Sequence, residues 1–183
     1  MAERPLRADA RRNREKVLRA AREAFAASGY DVPLDEIAAL AGVGPGTVYR
    51  HFPSKEALFE AVTAARLRDL ADDARDRGAA DDPSRAFFGF LARISEEAAA
   101  KRDMPDAIEV PGPLRDGVLT GLGTLLRRAQ QAGAVRADLT TPDLVVLLKG
   151  LFRSLQDTPA GDAGEAQRER LFGVIADGLR ERS

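Results

Sequence analysis

Apolar residues recur every three or four positions along most of the chain, which is the spacing of amphipathic helices. The first such segment covers residues 10–27, and its apolar face is formed by Val17, Leu18, Ala21, Ala24 and Phe25. No segment alternates between apolar and polar residues as a half-buried strand does, and we find no internal repeat. The pattern therefore predicts an all-α fold.

Proline and glycine divide the next part of the chain. Proline is favoured at the first residue of a helix and glycine just after the last, so they predict short helices over residues 33–41 and 45–52. Ser54 is a suitable N-cap for a long fourth helix that runs toward Gly78.

Four more amphipathic helices are predicted in the remainder of the chain. The first begins at Ser84 and the second covers residues 114–132. The third begins after an N-cap at Thr141, and the fourth covers residues 163–181. Prolines set apart a further short segment at residues 105–111, so the predicted total is about nine helices.

The composition is that of a folded protein, with 44% hydrophobic and 31% charged residues. No stretch approaches the roughly 18 apolar residues that span a bilayer, and the charged start lacks the apolar core of a secretory signal. We therefore expect a cytoplasmic protein without membrane contact. With no cysteine and one histidine, disulfides and a His/Cys zinc site are excluded, and we expect no metal and no cofactor.

Positive charge is concentrated at the start of the chain. Residues 1–22 hold eight arginine or lysine residues against three acidic ones, although the net charge of the whole chain is −1. Such a basic end can lie along DNA phosphates or in a minor groove, and the predicted arm contains Arg4, Arg7, Arg11 and Arg12. A solvated basic tail explains the same charges equally well.

The second and third predicted helices are joined by the sequence Ala41-Gly42-Val43-Gly44, which predicts a helix-turn-helix. Gly42 can adopt the left-handed conformation that a tight reversal needs, and Val43 fills the angle between the helices. In such a motif the second helix lies in the major groove of DNA. Its exposed face carries groups that bind phosphates and base edges, namely Pro45, Gly46, Thr47, Tyr49, Arg50 and His51.

Several positions between residues 10 and 62 fall into one register: Phe25, Gly29-Tyr30, Ile37-Ala38, Ala41-Gly42-Val43, the run from Gly46 to Phe52, and the run from Ser54 to Leu58. In this register the sequence resembles the DNA-binding part of the TetR family of repressors. The resemblance implies that the bases face Pro45, Gly46 and Arg50. It also implies that the DNA backbone is contacted by Thr47, Tyr49, His51 and Lys55.

The sequence departs from family members that place threonine and arginine early in the second helix. Leu34 and Asp35 stand there instead, and an acidic side chain repels phosphate. We therefore expect the second helix to add little base readout. Specificity would then rest on Pro45 and the Thr47 methyl group against thymine, Arg50 against guanine, and DNA shape.

The resemblance also implies a division of labour along the chain. Residues 1–62 are expected to bind DNA, and residues 63–183 to bind an effector and form the dimer. In TetR relatives the C-terminal helices enclose a small-molecule pocket and the last two helices make a homodimer, which implies a palindromic operator. The apolar pocket is expected to be lined by Phe87, Phe90, Leu91, Ile94, Met104, Ile108, Val118 and Leu122.

Other interpretations stay open from the sequence. Each pocket residue also fits an ordinary core, and a lone histidine such as His51 is more often a simple hydrogen-bonding residue. A DNA-binding architectural protein without a ligand would need only residues 1–62. An enzyme is disfavoured, because the single histidine lies in the predicted recognition helix and the candidate carboxylates are spread along helical faces: Glu96, Glu97, Asp103, Asp106 and Glu109.

Overall fold

The computed structural model describes residues 3–99, 112–156 and 162–181, which form eight helices and no named strand. The helices are α1 (Glu3–Ser28), α2 (Leu34–Leu40), α3 (Pro45–His51), α4 (Lys55–Gly78), α5 (Pro83–Ala99), α6 (Gly112–Gln131), α7 (Thr141–Gln156) and α8 (Asp162–Leu179). The predicted all-α fold is confirmed. The count is one below the predicted nine, and the short segment at residues 105–111 lies outside the described residues. None of these helices is long and apolar enough to cross a bilayer.

Most helix ends follow the local signals read from the sequence. α1 and α6 are each followed by a glycine with positive φ, +73° at Gly29 and +67° at Gly133. Pro45 is the first residue of α3. Ser54 caps α4, because its Oγ accepts a hydrogen bond from the Ala57 backbone N–H at 3.2 Å. These predicted helix boundaries are confirmed.

Three predicted helix starts are wrong. α2 begins at Leu34, and Pro33 is its N-cap and not its first helical residue. α1 begins at Glu3, earlier than the apolar pattern predicts, and Pro5 falls in its first turn, where a missing N–H costs no hydrogen bond. α7 is capped by Thr140 and not by Thr141, which is already helical. The Thr140 Oγ1 accepts from the Asp143 backbone N–H at 3.4 Å, and the Asp143 carboxylate accepts from the Thr140 backbone N–H at 2.9 Å. This reciprocal pair is a capping box.

The described residues up to Arg66 belong to one compact unit. Within it α1 contacts α2 and α3, and α2 contacts α3. Its core contains four of the five apolar residues predicted for α1, and Leu18, the fifth, packs half-buried against it. The other core residues come from α1, α2, α3, the first half of α4 and the segments between them. The full set is Val17, Ala20, Ala21, Ala24, Phe25, Val32, Ile37, Ala38, Ala41, Val48, Phe52, Leu58, Phe59 and Val62. This first core fixes the positions of α2 and α3.

The described residues from Leu67 onward belong to a second compact unit. α5 is its central helix and contacts α6, α7 and α8. The second core combines residues of all of these helices with the second half of α4: Leu70, Ala74, Ala86, Phe87, Phe90, Leu91, Leu122, Leu125, Leu126, Ala129, Val135, Leu144, Leu148 and Leu179. After α6, the Arg136 backbone N–H donates to the Leu179 carbonyl at 3.0 Å, which ties the end of α8 to the connection between α6 and α7.

Candidate nucleic-acid interface

The turn between α2 and α3 is closed by backbone hydrogen bonds. The Val43 N–H donates to the Ala38 carbonyl and the Gly42 N–H to the Ala39 carbonyl, both at 3.1 Å. Gly42 has φ +64°, and a Cβ built there would meet nothing within 4 Å, so backbone conformation rather than space requires glycine. Val43 is half-buried and packs against the first core, as predicted. The chain therefore forms a helix-turn-helix at the predicted place.

α3 is anchored to the protein through one side chain. Val48 is fully buried in the first core and fixes the rotation of the helix about its axis. Every other residue of α3 is exposed or half-buried, and these are the six residues predicted to contact DNA: Pro45, Gly46, Thr47, Tyr49, Arg50 and His51. Hydroxyl, guanidinium and imidazole groups placed in this way can donate to phosphate oxygens and base edges.

The seventh predicted contact, Lys55, is the first residue of α4 and lies over an aromatic ring. Its Nζ is 4.6 Å from the ring centroid of Tyr30, within the range of a cation–π interaction. The Tyr30 hydroxyl donates to Glu56 Oε1 at 2.9 Å. The Tyr30 ring also packs against Phe25 and Phe59, with centroids 6.1 Å and 5.4 Å away.

The Tyr30 hydroxyl remains a donor at neutral pH. Desolvation, together with the hydrogen bond and charge of Glu56, raises the pKa of Tyr30 to about 12. The pKa of Glu56 is lowered by its own backbone N–H, by the Tyr30 hydroxyl and by Ser54. The pair therefore keeps a protonated phenol facing an ionised carboxylate.

Two arginines of the predicted basic arm pair with neighbours on α1. Arg11 lies 3.6 Å from Glu15, and Arg12 pairs with Asp9. All four side chains are more than half exposed, a setting in which an ion pair contributes about 0.2–1 kcal/mol. A DNA phosphate can therefore compete for either arginine. The other two arginines of the arm lie outside the described side chains.

Two contacts beside the predicted DNA-binding residues are not predicted by the sequence pattern. The guanidinium of Arg14 lies 5.1 Å from the ring centroid of Phe52, the C-cap residue that follows α3. The second contact is the one between Tyr30 and Lys55. In both pairs the partners are far apart in the chain, whereas periodicity reports only which face of a helix a residue occupies.

The first turn of α2 is acidic and exposed. It holds Asp35 and Glu36, which are favourable there because the helix N-terminus carries positive partial charge. Leu34 packs half-buried against the first core. The start of α2 therefore offers DNA no donor side chain at these three positions.

Six of the eight residues predicted to line an effector pocket contribute to the second core. Four are fully or almost fully buried: Phe87, Phe90, Leu91 and Leu122. Two pack partly buried against that core: Ile94 and Val118. The remaining two lie outside the described residues: Met104 and Ile108. Burial of this kind suits the wall of a closed pocket and an ordinary core alike, so the pocket stays a prediction.

Two cavities in the second unit are lined by other residues. One of about 510 Å³ lies along α4 and α6, where small side chains permit close approach and a Cβ on Gly121 would overlap that of Ala74. The other, about 340 Å³, lies between α5 and α8 and includes Ser95 and Arg168. Both volumes are in the range of small-molecule sites. Within the described part of the chain, no three acidic or histidine side chains are placed to hold a metal ion.

The last two helices keep apolar side chains exposed to solvent. Val146 is 69% exposed and Val174 is 70% exposed. Leu147 and Leu171 are less exposed, at 41% and 36%. Other apolar residues of these helices are buried within the unit: Leu144, Leu148, Leu151 and Leu179. α7 and α8 therefore each have a buried face and an uncovered apolar one.

A short helix that is anchored by one buried valine and follows a tight glycine turn places this protein in the class of helix-turn-helix DNA-binding regulators. The protein-family model described as bacterial regulatory proteins, tetR family, matches residues 17–62 of the sequence. The model described as the C-terminal domain of SbtR-like transcriptional regulators matches residues 82–181. The chain belongs to the TetR family of transcriptional regulators.

Similar proteins agree with this membership. The TetR transcription regulatory protein from Mycobacterium vanbaalenii is 42% identical, with a TM-score of 0.73 over 96% of this chain and 99% of that protein. The TetR transcriptional regulator SCO0520 from Streptomyces coelicolor is 34% identical, with a TM-score of 0.77 over 93% and 99%. UidR from Escherichia coli K12 is 28% identical in an alignment of 194 positions, which covers 96% of this chain and 93% of UidR. The predicted family and regulatory function are thereby confirmed.

Proposed function

We propose that the protein is a homodimeric repressor that binds a palindromic operator through α3 and leaves it when a small molecule binds. In this proposal residues 1–62 bind DNA, and residues 63–183 bind the effector and form the dimer. The observation that carries the DNA-binding part is that every α3 residue except Val48 is exposed or half-buried. Operator binding requires no catalytic step, metal or cofactor, and we propose that the protein acts in the cytoplasm.

The proposed contacts divide into base readout and phosphate binding. Arg50 is exposed and can donate two hydrogen bonds to guanine, while Pro45 and the Thr47 methyl group suit the methyl group of thymine. The Thr47 hydroxyl, Tyr49, His51 and Lys55 are the proposed phosphate contacts, which set register and supply sequence-independent affinity. Gly46 allows the DNA backbone or a base edge to approach the start of α3 closely.

Exposed apolar residues on α7 and α8 support the proposed dimer. Val146 and Val174 are each exposed by more than two thirds, at 69% and 70%, and apolar surface of this kind marks protein contact sites. A two-fold dimer presents two recognition helices, so the operator half-sites should be palindromic and about 34–36 Å apart or a multiple of that.

Effector control is proposed to act through α4. This helix is continuous from Lys55 to Gly78, so it includes the proposed phosphate contact and residues of the second core. An effector in the predicted pocket would change the spacing of the recognition helices by shifting α4. The effector can change this spacing only if it binds the protein more tightly at one spacing than at the other.

Effector release is testable once the protein has selected its own operator from a random pool of duplexes. Fractions of a small-molecule extract from the host cells are added to the labelled complex, and the released fraction is measured by fluorescence anisotropy. We expect one fraction to release the duplex. Linkage then requires that the duplex weakens effector binding by the same factor.

Arg50→Ala is the matched control for this experiment, because it should lose operator preference and still bind the effector. An operator complex that stays bound with every fraction would contradict effector release. Equal affinity for all duplexes would instead support an architectural DNA-binding protein.

A further inference from the structure

We infer that Tyr30 is a positioning residue that holds the ammonium group of Lys55 in place for a DNA phosphate. The inference rests on the proposed phosphate contact of Lys55. It assigns a function in DNA binding to a side chain that lies outside α3 and is not itself proposed to touch DNA.

The ring of Tyr30 leaves the Lys55 ammonium free to bind a second partner. The Nζ atom lies 4.6 Å from the ring centroid, so the ring occupies one side of the group. A lysine ammonium has three N–H donors, and the Lys55 side chain is only half-buried. A phosphate oxygen can therefore approach from the side opposite the ring while the cation–π contact persists.

Holding the lysine in advance favours DNA binding. A free lysine side chain has many rotamers, and ordering it on contact with DNA opposes association. The ring contact restricts these rotamers before DNA arrives, so less conformational entropy is lost in the complex. The effect of the ring on affinity should therefore depend on the presence of the lysine.

Three contacts hold the Tyr30 ring in place. Its hydroxyl donates to Glu56 at 2.9 Å, and the ring packs against Phe25 and Phe59, with interplanar angles of 17° and 75°. The hydroxyl also satisfies one oxygen of the Glu56 carboxylate, a negative group beside the proposed phosphate contact. A ring fixed in this way can orient a flexible cation, whereas a mobile ring cannot.

The test is a double-mutant cycle between residues 30 and 55. Affinity is measured by fluorescence anisotropy at low salt, on a labelled duplex of mixed sequence about three helical turns long, because phosphate contacts do not depend on sequence. Tyr30→Leu removes the ring, Tyr30→Phe keeps it, and each is combined with Lys55→Gln. Arg127→Gln, at an exposed position of α6 outside the proposed DNA-binding and dimer surfaces, controls for the loss of one positive charge.

We expect Tyr30→Leu to raise the Kd about two- to fivefold, which corresponds to a partly exposed cation–π contact. Tyr30→Phe should stay within about twofold of the parent, because the ring remains. In the Lys55→Gln background Tyr30→Leu should have no further effect. Equal losses in both backgrounds would overturn the inference, since they would indicate a packing role, and so would tighter or unchanged binding by Tyr30→Leu.

Lys55→Gln alone separates this inference from the proposal on which it rests. If Lys55→Gln binds like Arg127→Gln, Lys55 makes no phosphate contact, and the inference fails together with that contact. If Lys55→Gln weakens binding and Tyr30→Leu does not, the phosphate contact stands and the inference alone fails.

Incorporation of pentafluorophenylalanine at residue 30 keeps the test open if Tyr30→Leu does not fold. Fluorination preserves the volume of the ring and reverses its electrostatic attraction for a cation. We expect the fluorinated protein to lose affinity relative to Tyr30→Phe. Equal affinity of these two proteins would overturn the inference.

Discussion

Adjacent residues of α3 have opposite environments, so single substitutions there should separate stability from DNA binding. Val48 is fully buried, whereas its neighbours Tyr49 and Arg50 are exposed. Truncation of Val48 leaves a cavity and lowers the free energy of unfolding. Truncation of an exposed neighbour removes a DNA contact and leaves the core intact.

The two cations of the proposed interface should respond differently to alanine. Arg50→Ala should weaken binding to the preferred operator by about 1–3 kcal/mol and relax base preference at one position of each half-site. Lys55→Ala should weaken binding to every duplex and flatten the slope of log K against log salt by about one unit. Anisotropy titrations on matched and mismatched duplexes at several salt concentrations measure both. Parental binding by both variants would show that the contacts are assigned to the wrong residues.

Substitution of Gly42 should destabilise the helix-turn-helix. Gly42→Ala forces a Cβ into the left-handed region and should lower the free energy of unfolding by about 1 kcal/mol. Gly46→Ala is the control, since this helical glycine has open space around it and should raise stability by about 0.5–1 kcal/mol. Urea denaturation compares them, and a neutral Gly42→Ala would contradict the strain argument.

At the residue scale, the sequence predicts what depends on near neighbours. The turn at Gly42, the start of α3 at Pro45 and the cap at Ser54 follow from local chain geometry, and each is found where predicted. The contact of Lys55 with Tyr30 depends on how α1, α4 and the loop after α1 pack together. No local pattern encodes it, although both residues are part of the resemblance.

At the element scale, the start of α7 rests on a capping box. Thr140→Ala removes the side-chain oxygen that accepts from Asp143 N–H, and should cost about 0.5–2 kcal/mol of unfolding free energy. Thr140→Ser keeps the oxygen and should stay close to the parent in the same denaturation experiment. A loss in Thr140→Ser as large as that in Thr140→Ala would assign the effect to the methyl group instead of the cap.

Helices themselves were predictable because each has an apolar stripe and a clear stop signal. The α7 cap was misplaced because two adjacent threonines both suit an N-cap, and only Asp143, three residues after Thr140, distinguishes them. The predicted pocket shows a different limit. Periodicity places Phe87 and Phe90 on an inward face, but a core and the wall of a cavity have the same periodicity.

At the scale of the whole molecule, the exposed apolar residues of α7 and α8 should determine the oligomeric state. Val174→Glu and Val146→Glu each place a charge on a surface that the proposed dimer buries, so sedimentation should show a shift from dimer toward monomer. Leu40→Glu is the matched control, because Leu40 is 61% exposed on α2 and lies outside these helices. Dissociation by Leu40→Glu alone, or a dimer unaffected by both valine substitutions, would place the interface elsewhere.

The measurement that tests the account most directly is a footprint on the selected operator, with the protein-to-DNA ratio determined in the same complex. We predict two protomers on a palindrome, with symmetric protection of two half-sites centred about 34–36 Å apart or a multiple of that spacing. Arg50→Ala should lose this protection at concentrations where the parent saturates the site. A single protomer that protects one asymmetric half-site, or a footprint that Arg50→Ala leaves unchanged, would contradict a dimer that reads DNA through α3.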